Sequence, residues 1–263
     1  MPTNGVPTTE ADWNGAMNRL RELGASADPR AFQRWDVIIA RMAHVDSPAS
    51  DPELAALRAD REWESRWRPA LVEVSAGRPL PYSECPESSE VLIQTAHNIL
   101  RFERLSGRRV SEWESIVEFG GGFGGMCRLA HALGFSGSYL IFDLAPFTLL
   151  QGYYLTETGI LGRGSRVALT SDFAEMERFV GAGAARGASC LVGTWSLSET
   201  PVALRERVKP LVETIGHYWL AFQGRYGEVD NLDYFTRCWP GGSQLERILH
   251  RPDDYYLVGA AGS

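Results

Sequence analysis

The chain has 263 residues, of which 44% are hydrophobic and 22% are charged, which excludes a largely disordered protein. A formal net charge of −7 argues against a nucleic-acid partner, whose phosphates would need a basic face. Cys85, Cys127, Cys190 and Cys238 form no CxxC pair, so neither a disulfide framework nor a zinc site is expected. We predict no metal-binding residues.

The N-terminal segment MPTNGVPTTEADW has no basic region followed by an apolar one, so no signal peptide is predicted. The longest apolar stretch, YLIFDLAPFTLLQGYYL, is interrupted by Asp143 and Pro146 and is not expected to span a bilayer. We therefore expect a soluble cytoplasmic protein without a membrane partner, and we leave open whether it forms a homodimer.

Residues 1–110 are predicted to form a helical cap region without strands. Apolar residues recur at helical spacing in ADWNGAMNRLREL and DPRAFQRWDVIIARMAHV. A further helix is expected to begin at Asp51, which precedes a proline suited to a first turn. After a proline-rich loop, SSEVLIQTAHNILRFERLSG predicts a helix capped by Ser88 or Ser89 and ended by Gly107.

Residues 111–263 are predicted to form one α/β domain. Five short apolar runs alternate with helical stretches, the pattern of a parallel sheet covered on both faces: SIVEF, SYLIFDL, SRVALTS, ASCLVGTW and HYWLAFQ. The remaining segment predicts a helix, a turn and a closing strand. The predicted fold class is a Rossmann-like, doubly wound, mostly parallel sheet behind an N-terminal helical cap.

A glycine-rich loop, GGGFGG, follows the first predicted strand, where open parallel sheets bind ligands. Gly120, Gly122 and Gly125 satisfy the G-x-G-x-x-G pattern of dinucleotide-binding proteins, which is weak evidence by itself. Glu118 with Gly120, Gly122 and Gly124 also gives E-x-G-x-G-x-G. The loop alone therefore fits two classes of adenosine cofactor.

Acidic residues after the second and third strands fit the rest of such a cofactor. Asp143 ends the second strand and can accept hydrogen bonds from both ribose hydroxyls of NAD or of S-adenosylmethionine. Asp172 after the third strand can accept from an adenine amine while Phe173 covers the ring face. The alternative for Asp172 is a helix N-cap, and both roles are compatible.

The stretch from about Val91 to Leu204 resembles the class I S-adenosylmethionine-dependent methyltransferases and, more narrowly, bacterial sugar O-methyltransferases. The segments that carry the resemblance are IVEFGGGFGGMCRLAH, YLIFDLAPFTLLQGYYL and LVGTWSLSETP. The resemblance implies that S-adenosyl-L-methionine is the cofactor. The cofactor-binding residues predicted in this way are Glu118, Gly120, Gly122, Gly124, Asp143, Leu144, Asp172, Phe173 and Thr194. For Glu118, a structural role in the turn is the alternative.

The acceptor is expected at the loops after the fourth and fifth strands. A hydroxyl acceptor needs a general base or a metal to help remove its proton. Glu199 is the first candidate, as a base or as an acid that supports a metal, and His97 is a further candidate base. Their alternatives are a carboxylate in the first turn of a helix for Glu199 and a packed helix histidine for His97. The predicted substrate-binding residues are Trp195, Ser196, Ser198, Gln223, Arg225 and Tyr226.

The sequence thus predicts methyl transfer to a sugar, an aminocyclitol or a similar polar small molecule, as O-methylation in natural-product or polysaccharide biosynthesis. N-methylation of an amine or amidine is the nearest alternative. An NAD-dependent oxidoreductase would need a Tyr-x-x-x-Lys pair or an equivalent, but Arg205 stands four residues before Lys209. A cofactor-binding subunit without activity of its own is a fourth reading.

Overall fold

A computed structural model describes residues 10–42, 45, 47–183 and 187–261. The signal-peptide prediction rests largely on residues outside these ranges. The chain divides into two compact units, Met1–His97 and Asn98–Ser263. The sequence predicts a domain boundary between residues 110 and 111, whereas the boundary between the compact units lies earlier, between His97 and Asn98. The predicted domain boundary stays a prediction.

The first unit is helical in its described part, without a strand there. Leu20, Phe32, Ile38, Leu57 and Trp67 are buried in its core. Its elements are α1 (Glu10–Ser26), a 3₁₀ turn (Pro29–Arg34), α2 (Asp36–Arg41), α3 (Ser50–Arg58), a π turn (Trp63–Trp67), α4 (Arg68–Ala70) and the first part of α5 (Glu90–Ser106).

A side-chain oxygen caps α5, whereas α3 begins without a side-chain cap. The Ser89 hydroxyl accepts a hydrogen bond of 3.2 Å from the backbone N–H of Leu92, so the predicted serine cap of α5 is confirmed at Ser89. Helix α3 begins at Ser50, one residue before the predicted start, and the Asp51 carboxylate instead accepts a hydrogen bond from the hydroxyl of Tyr82.

The second unit is built on one sheet of seven strands with the order β3-β2-β1-β4-β5-β9-β8. Strands β1 to β5 are parallel, and β9 runs antiparallel between β5 and β8. The strands are β1 (Ser115–Phe119), β2 (Ser138–Phe142), β3 (Val167–Thr170), β4 (Ser189–Thr194), β5 (His217–Gln223), β6 (Arg225–Tyr226), β7 (Val229–Asp230), β8 (Gly242–Arg247) and β9 (Asp254–Ala260).

Helices cover both faces of this sheet. On one face, α8, α9 and α10 share a buried apolar cluster with the strands. On the other, the Phe102 ring of α5 lies 5.4 Å from the rings of Trp219 and of Tyr256. The remaining helices are α6 (Gly125–Ala132), α7 (Ala145–Glu157), α8 (Phe173–Gly183), α9 (Val202–Ile215) and α10 (Asn231–Arg237), with 3₁₀ turns at Val110–Glu112 and Ser196–Glu199. The predicted doubly wound α/β class is confirmed.

Strand β8 and the small β6–β7 hairpin were not predicted. The segment now seen as β8 is mostly exposed and polar, because it is an edge strand that pairs only with β9, so it lacks the apolar run that identified the buried strands. Cys127 and Cys190 are buried free thiols, as expected. Within the described ranges, no helix is long and apolar enough to cross a membrane.

Candidate active site

The carboxyl ends of β1 to β5 lie at one edge of the sheet because these strands are parallel. The chain passes from β1 to β2 on one side and reaches β4 on the other, which makes the gap between β1 and β4 the switch point of the sheet. We call the loops after β1 and β2 the cofactor side, and the loops after β4 and β5 the acceptor side, after the ligands that the sequence predicts for them. Most of the predicted site residues lie on these loops.

The glycine loop on the cofactor side needs its glycines for two reasons. Gly120, Gly122 and Gly124 have φ values of +73°, +58° and +98°, which residues with a Cβ rarely adopt. A Cβ on Gly120 would also lie 2.2 Å from the Cβ of Ser196. Glycine therefore allows the loop both to turn and to come close to the acceptor side.

Asp143, at the end of β2, is hydrogen-bonded to the glycine loop. Its Oδ2 accepts hydrogen bonds from the backbone N–H of Gly122 at 2.9 Å and from Nε2 of Gln151 at 3.0 Å, and its Oδ1 accepts from the N–H of Leu144 at 2.7 Å. Burial raises the pKa of Asp143 to about 7, although these hydrogen bonds act in the opposite direction. The backbone N–H of Gly121 also acts on this carboxylate, so the glycine loop contacts Asp143 at two successive residues.

Glu118 lies beneath the glycine loop and is buried. Its Oε2 accepts a hydrogen bond of 2.8 Å from the hydroxyl of Tyr139 on β2. A Cβ on Gly121 would lie 3.1 Å from the Glu118 carboxyl group, so the loop passes close above it. Burial raises the pKa of Glu118 to about 8, and the Asp143 charge adds to this, while the Tyr139 hydrogen bond lowers it. These contacts match the structural alternative for Glu118; its cofactor contact stays a prediction.

Asp172 and Phe173, which follow β3, have contacts within the protein that do not bear on their predicted role in binding adenine. Asp172 is exposed, and its Oδ1 accepts a hydrogen bond of 2.9 Å from the N–H of Ala174 in the first turn of α8, which is the expected N-cap arrangement. The Phe173 ring is buried, 5.8 Å from the Phe142 ring, and the guanidinium of Arg207 lies 3.9 Å from its centroid. The adenine contacts of Asp172 and Phe173 stay predictions.

Two further predicted cofactor residues lie at strand ends. Leu144 follows Asp143 and is 49% exposed, so it leaves an apolar surface at this edge. Thr194 is the last residue of β4 and is partly buried. Both positions adjoin the switch point.

On the acceptor side, the chain turns sharply at Trp195. Its φ of +62° and ψ of −35° are strained for a residue with a Cβ. The backbone N–H of Trp195 donates to the carbonyl of Ala221 at 2.6 Å, its carbonyl accepts from the N–H of Ser198 at 3.0 Å, and its indole N–H donates to Oδ2 of Asp254 at 3.1 Å. Burial raises the pKa of Asp254 to about 6. Several contacts therefore hold this strained residue in place.

Ser196 joins the two sides of the switch point. Its hydroxyl donates a hydrogen bond to the backbone carbonyl of Phe119, the last residue of β1. Its Cβ also packs against Gly120. Since its hydroxyl proton is already used within the protein, the predicted contact of Ser196 with substrate has no support from this geometry and stays a prediction.

Ser198, Gln223 and Glu199 form a connected polar group. The Ser198 Oγ lies 2.8 Å from Oε1 of Gln223 and 2.6 Å from the carbonyl oxygen of Trp195. The Nε2 of Gln223 donates to Oε1 of Glu199 at 3.3 Å. The structure thus brings together the predicted base and two predicted substrate-binding residues at the carboxyl ends of β4 and β5.

The other predicted residues have different contacts. Arg225 is exposed on β6, with its Nη2 3.5 Å from Oδ2 of Asp230, and Tyr226 is partly buried beside it. His97 belongs to the first unit, where it is buried and carries a ring nitrogen within 4.8 Å of a Glu53 carboxylate oxygen. This matches the packed-histidine alternative for His97, and its catalytic role stays a prediction.

Sequence reasoning missed four residues that hold the site together: Gln151, Arg205, Asn231 and Asp254. Gln151 had a usable signal, because it is a lone amide in the apolar helix segment APFTLLQGYYL, and a buried amide needs partners. Asn231 and Asp254 come from segments that join the sheet edge only in the folded chain, so no local pattern identified them.

The fold has counterparts among solved structures, whereas no family model and no curated protein matches the chain. It is similar to the METTL16 methyltransferase domain, with 11% identity, a TM-score of 0.50 and coverage of 93% of this chain and 92% of that one. It is also similar to cofactor-bound Rv0187 from MTB, with 14% identity, a TM-score of 0.46 and coverage of 83% and 92%. A third is precorrin-6y C5,15-methyltransferase from Geobacter metallireducens GS-15, with 13% identity, a TM-score of 0.43 and coverage of 73% and 98%.

At these identities the likeness shows the fold alone. The class it defines is the Rossmann-like fold of methyltransferases, with a mostly parallel seven-stranded sheet between helices.

Proposed function

We propose that the chain is an S-adenosylmethionine-dependent methyltransferase that acts on a sugar, an aminocyclitol or a similar polar small molecule. The observation that carries the proposal is that Asp143 accepts hydrogen bonds from the backbone of Gly122 in the glycine loop and from Gln151. These contacts lie at the ligand-binding edge of a methyltransferase fold. This arrangement fits an adenosine cofactor, since a carboxylate at the ligand-binding edge of the sheet suits ribose hydroxyls and Leu144 offers an apolar surface beside it.

The acceptor side supports a polar acceptor. Bound S-adenosylmethionine would supply an electrophilic methyl group and would leave as S-adenosylhomocysteine when the bond from that methyl carbon to sulfur breaks. Gln223, held by Ser198, orients a hydroxyl of the acceptor, and Glu199 accepts the proton that this hydroxyl loses as its oxygen forms the new bond to the methyl carbon. An amine acceptor uses the same groups but needs only to be bound unprotonated, so N-methylation remains the alternative.

Cofactor choice is tested by thermal unfolding of the full chain with S-adenosylhomocysteine or NAD. We expect the melting temperature to rise with S-adenosylhomocysteine only, because a ligand that binds the folded state stabilises it. A rise with NAD alone would overturn the proposal in favour of an oxidoreductase.

The acceptor is tested by mass spectrometry. A panel of sugars, aminocyclitols and simple amines is incubated with the protein and with cofactor that carries an isotope-labelled methyl group. We expect label in a hydroxyl-bearing sugar or aminocyclitol, and fragmentation assigns it to oxygen or nitrogen. Cofactor binding without transfer to any member would contradict the proposed acceptor class and favour a non-catalytic cofactor-binding subunit.

A further inference from the structure

Arg205 on α9 is a fully buried arginine whose partners are all neutral. Its side chain has no exposed surface, and its three hydrogen bonds to described residues go to two backbone carbonyls and one amide oxygen. The rings of Tyr234 and Phe235 lie 5.3 and 5.7 Å from its guanidinium carbon. Burial lowers the pKa of Arg205 to about 10, which still leaves it charged at neutral pH. Burying a charge without an opposite charge is costly, so this residue calls for an explanation.

The two backbone carbonyls are those on either side of Glu199. Nη2 of Arg205 donates to the carbonyl of Ser198, and Nε donates to the carbonyl of Thr200 at 2.9 Å. The planar guanidinium thus fixes two points of the turn at residues 195–200 at once. This is the turn that begins at the strained Trp195.

The third partner, Asn231, connects Arg205 to the end of β5. Nη1 of Arg205 donates to Oδ1 of Asn231 at 2.6 Å, and since arginine can only donate, the Asn231 amide must point its NH₂ group the other way. That NH₂ donates to the carbonyl of Gln223 at 2.9 Å and to that of Ser198 at 3.3 Å. Arg205 and Asn231 together therefore set the positions of Ser198 and Gln223.

We infer that Arg205 is a positioning residue of the acceptor side: it holds the turn at residues 195–200 so that Glu199 stays beside Gln223, where the acceptor's proton is received. The inference rests on the proposed function for the role of Glu199. A buried charge is suited to this task because two backbone carbonyls and an amide oxygen must be held in one fixed geometry, which the five donors of a guanidinium provide. An ammonium group cannot reproduce that geometry.

The test compares Arg205→Lys and Asn231→Ala with wild type, using an acceptor found in the panel above. We expect kcat to fall roughly 10- to 100-fold in Arg205→Lys, as for a misplaced catalytic group, while the Kd for S-adenosylhomocysteine stays within about twofold. The acid limb of the pH profile of kcat/KM should also move to higher pH. The reason is that Glu199, displaced with the turn, loses the hydrogen bond from Nε2 of Gln223, which favours its charged form. Hydrogen exchange of the amides at residues 195–200 should become faster in both variants.

The control is Lys209→Met, which removes a positive charge from the same helix; Lys209 pairs with Glu206 at 2.9 Å. We expect this variant to keep the wild-type kcat, pH profile and exchange rates. An unchanged kcat and unchanged exchange in Arg205→Lys would overturn the inference, as would a loss of cofactor affinity parallel to that of kcat, which indicates general unfolding. If wild type binds no S-adenosylhomocysteine, the proposed function fails, and the exchange data still decide whether Arg205 holds the turn.

Discussion

On the cofactor side of the switch point, backbone amides and one side chain, that of Gln151, hold a single carboxylate beside a glycine loop, whereas on the acceptor side a network of side chains holds a strained turn. Gly122 donates to Asp143 through its backbone, and the loop needs no side chain of its own to do so. The turn at Trp195 instead depends on side chains from α9, α10 and β9. The cofactor side thus depends on space for the backbone, and the acceptor side on particular partners. Four experiments probe this difference.

The largest effect is expected for Gly120→Ala. The new Cβ would meet both an unfavourable φ and the Cβ of Ser196 at 2.2 Å, so we expect the free energy of unfolding to fall by about 2–4 kcal/mol, with loss of S-adenosylhomocysteine binding. Chemical denaturation and calorimetric titration measure these two quantities.

Gly159→Ala is the matched control, because Gly159 has the same φ of +73° but no atom within 4 Å of its Cβ position. We expect this variant to lose only about 1 kcal/mol, the cost of the left-handed backbone. The double variant Gly120→Ala with Ser196→Gly should recover part of the loss. Equal effects of the two alanine variants would show that close approach to Ser196 is unimportant.

A smaller effect, on binding, is expected for Asp143→Ala. Loss of the proposed hydrogen bond between Asp143 and the cofactor ribose should weaken S-adenosylhomocysteine binding by about 1–3 kcal/mol. Since the pKa of Asp143 is raised to about 7, wild-type affinity should also fall as the pH drops from 8 to 6, whereas the variant should show no such change.

Titration calorimetry across this pH range checks both statements. The control is Glu213→Ala, which removes an exposed carboxylate from α9 and should change affinity by less than about 0.5 kcal/mol. An Asp143→Ala affinity equal to that of wild type at pH 8 would remove Asp143 from the binding site.

The same difference explains what could be predicted from the sequence. Buried parallel strands need apolar runs, and tight loops need glycine, so β1, β5 and the glycine loop were predicted at or near their observed positions. Edge strand β8 was missed because it is mostly exposed. Arg205 and Asn231 were missed because they join the turn at Trp195 from other helices, and such contacts leave no local pattern. Ser196 was assigned to the substrate as a small hydroxyl at a strand end, and its hydrogen bond to Phe119 was missed because it joins two strands that are far apart in the sequence.

The Glu118→Gln variant tests whether the buried carboxyl group beneath the glycine loop has a structural role. Its pKa is raised by burial from 4.5 to about 8, so its contribution to stability is complete below pH 4.5 and is lost as the pH rises through 8. In Glu118→Gln this dependence disappears. Between pH 5 and 8, we expect the unfolding free energy of wild type to fall relative to that of the variant by about 1 kcal/mol for each pH unit.

Denaturant unfolding of both proteins at several pH values measures this slope, and Tyr139→Phe, which removes the hydrogen-bond donor to Glu118, is the companion variant. A difference that does not vary with pH would show that Glu118 titrates normally. A large loss of S-adenosylhomocysteine affinity in Glu118→Gln, with little change in stability, would instead support the predicted cofactor contact.

The smallest effect is expected at Asp172, where a helix cap and a cofactor contact are both predicted. Asp172→Ala removes the oxygen that accepts from the N–H of Ala174, so the free energy of unfolding should fall by about 1 kcal/mol. Asp172→Asn is the matched variant, because asparagine caps helices about as well and should keep wild-type stability. The adenine contact predicts that S-adenosylhomocysteine binding weakens in Asp172→Ala and is retained in Asp172→Asn, whose amide oxygen still accepts. Unchanged affinity in both variants would leave Asp172 as a cap only, and the cofactor side would then depend on Asp143 as its acidic contact.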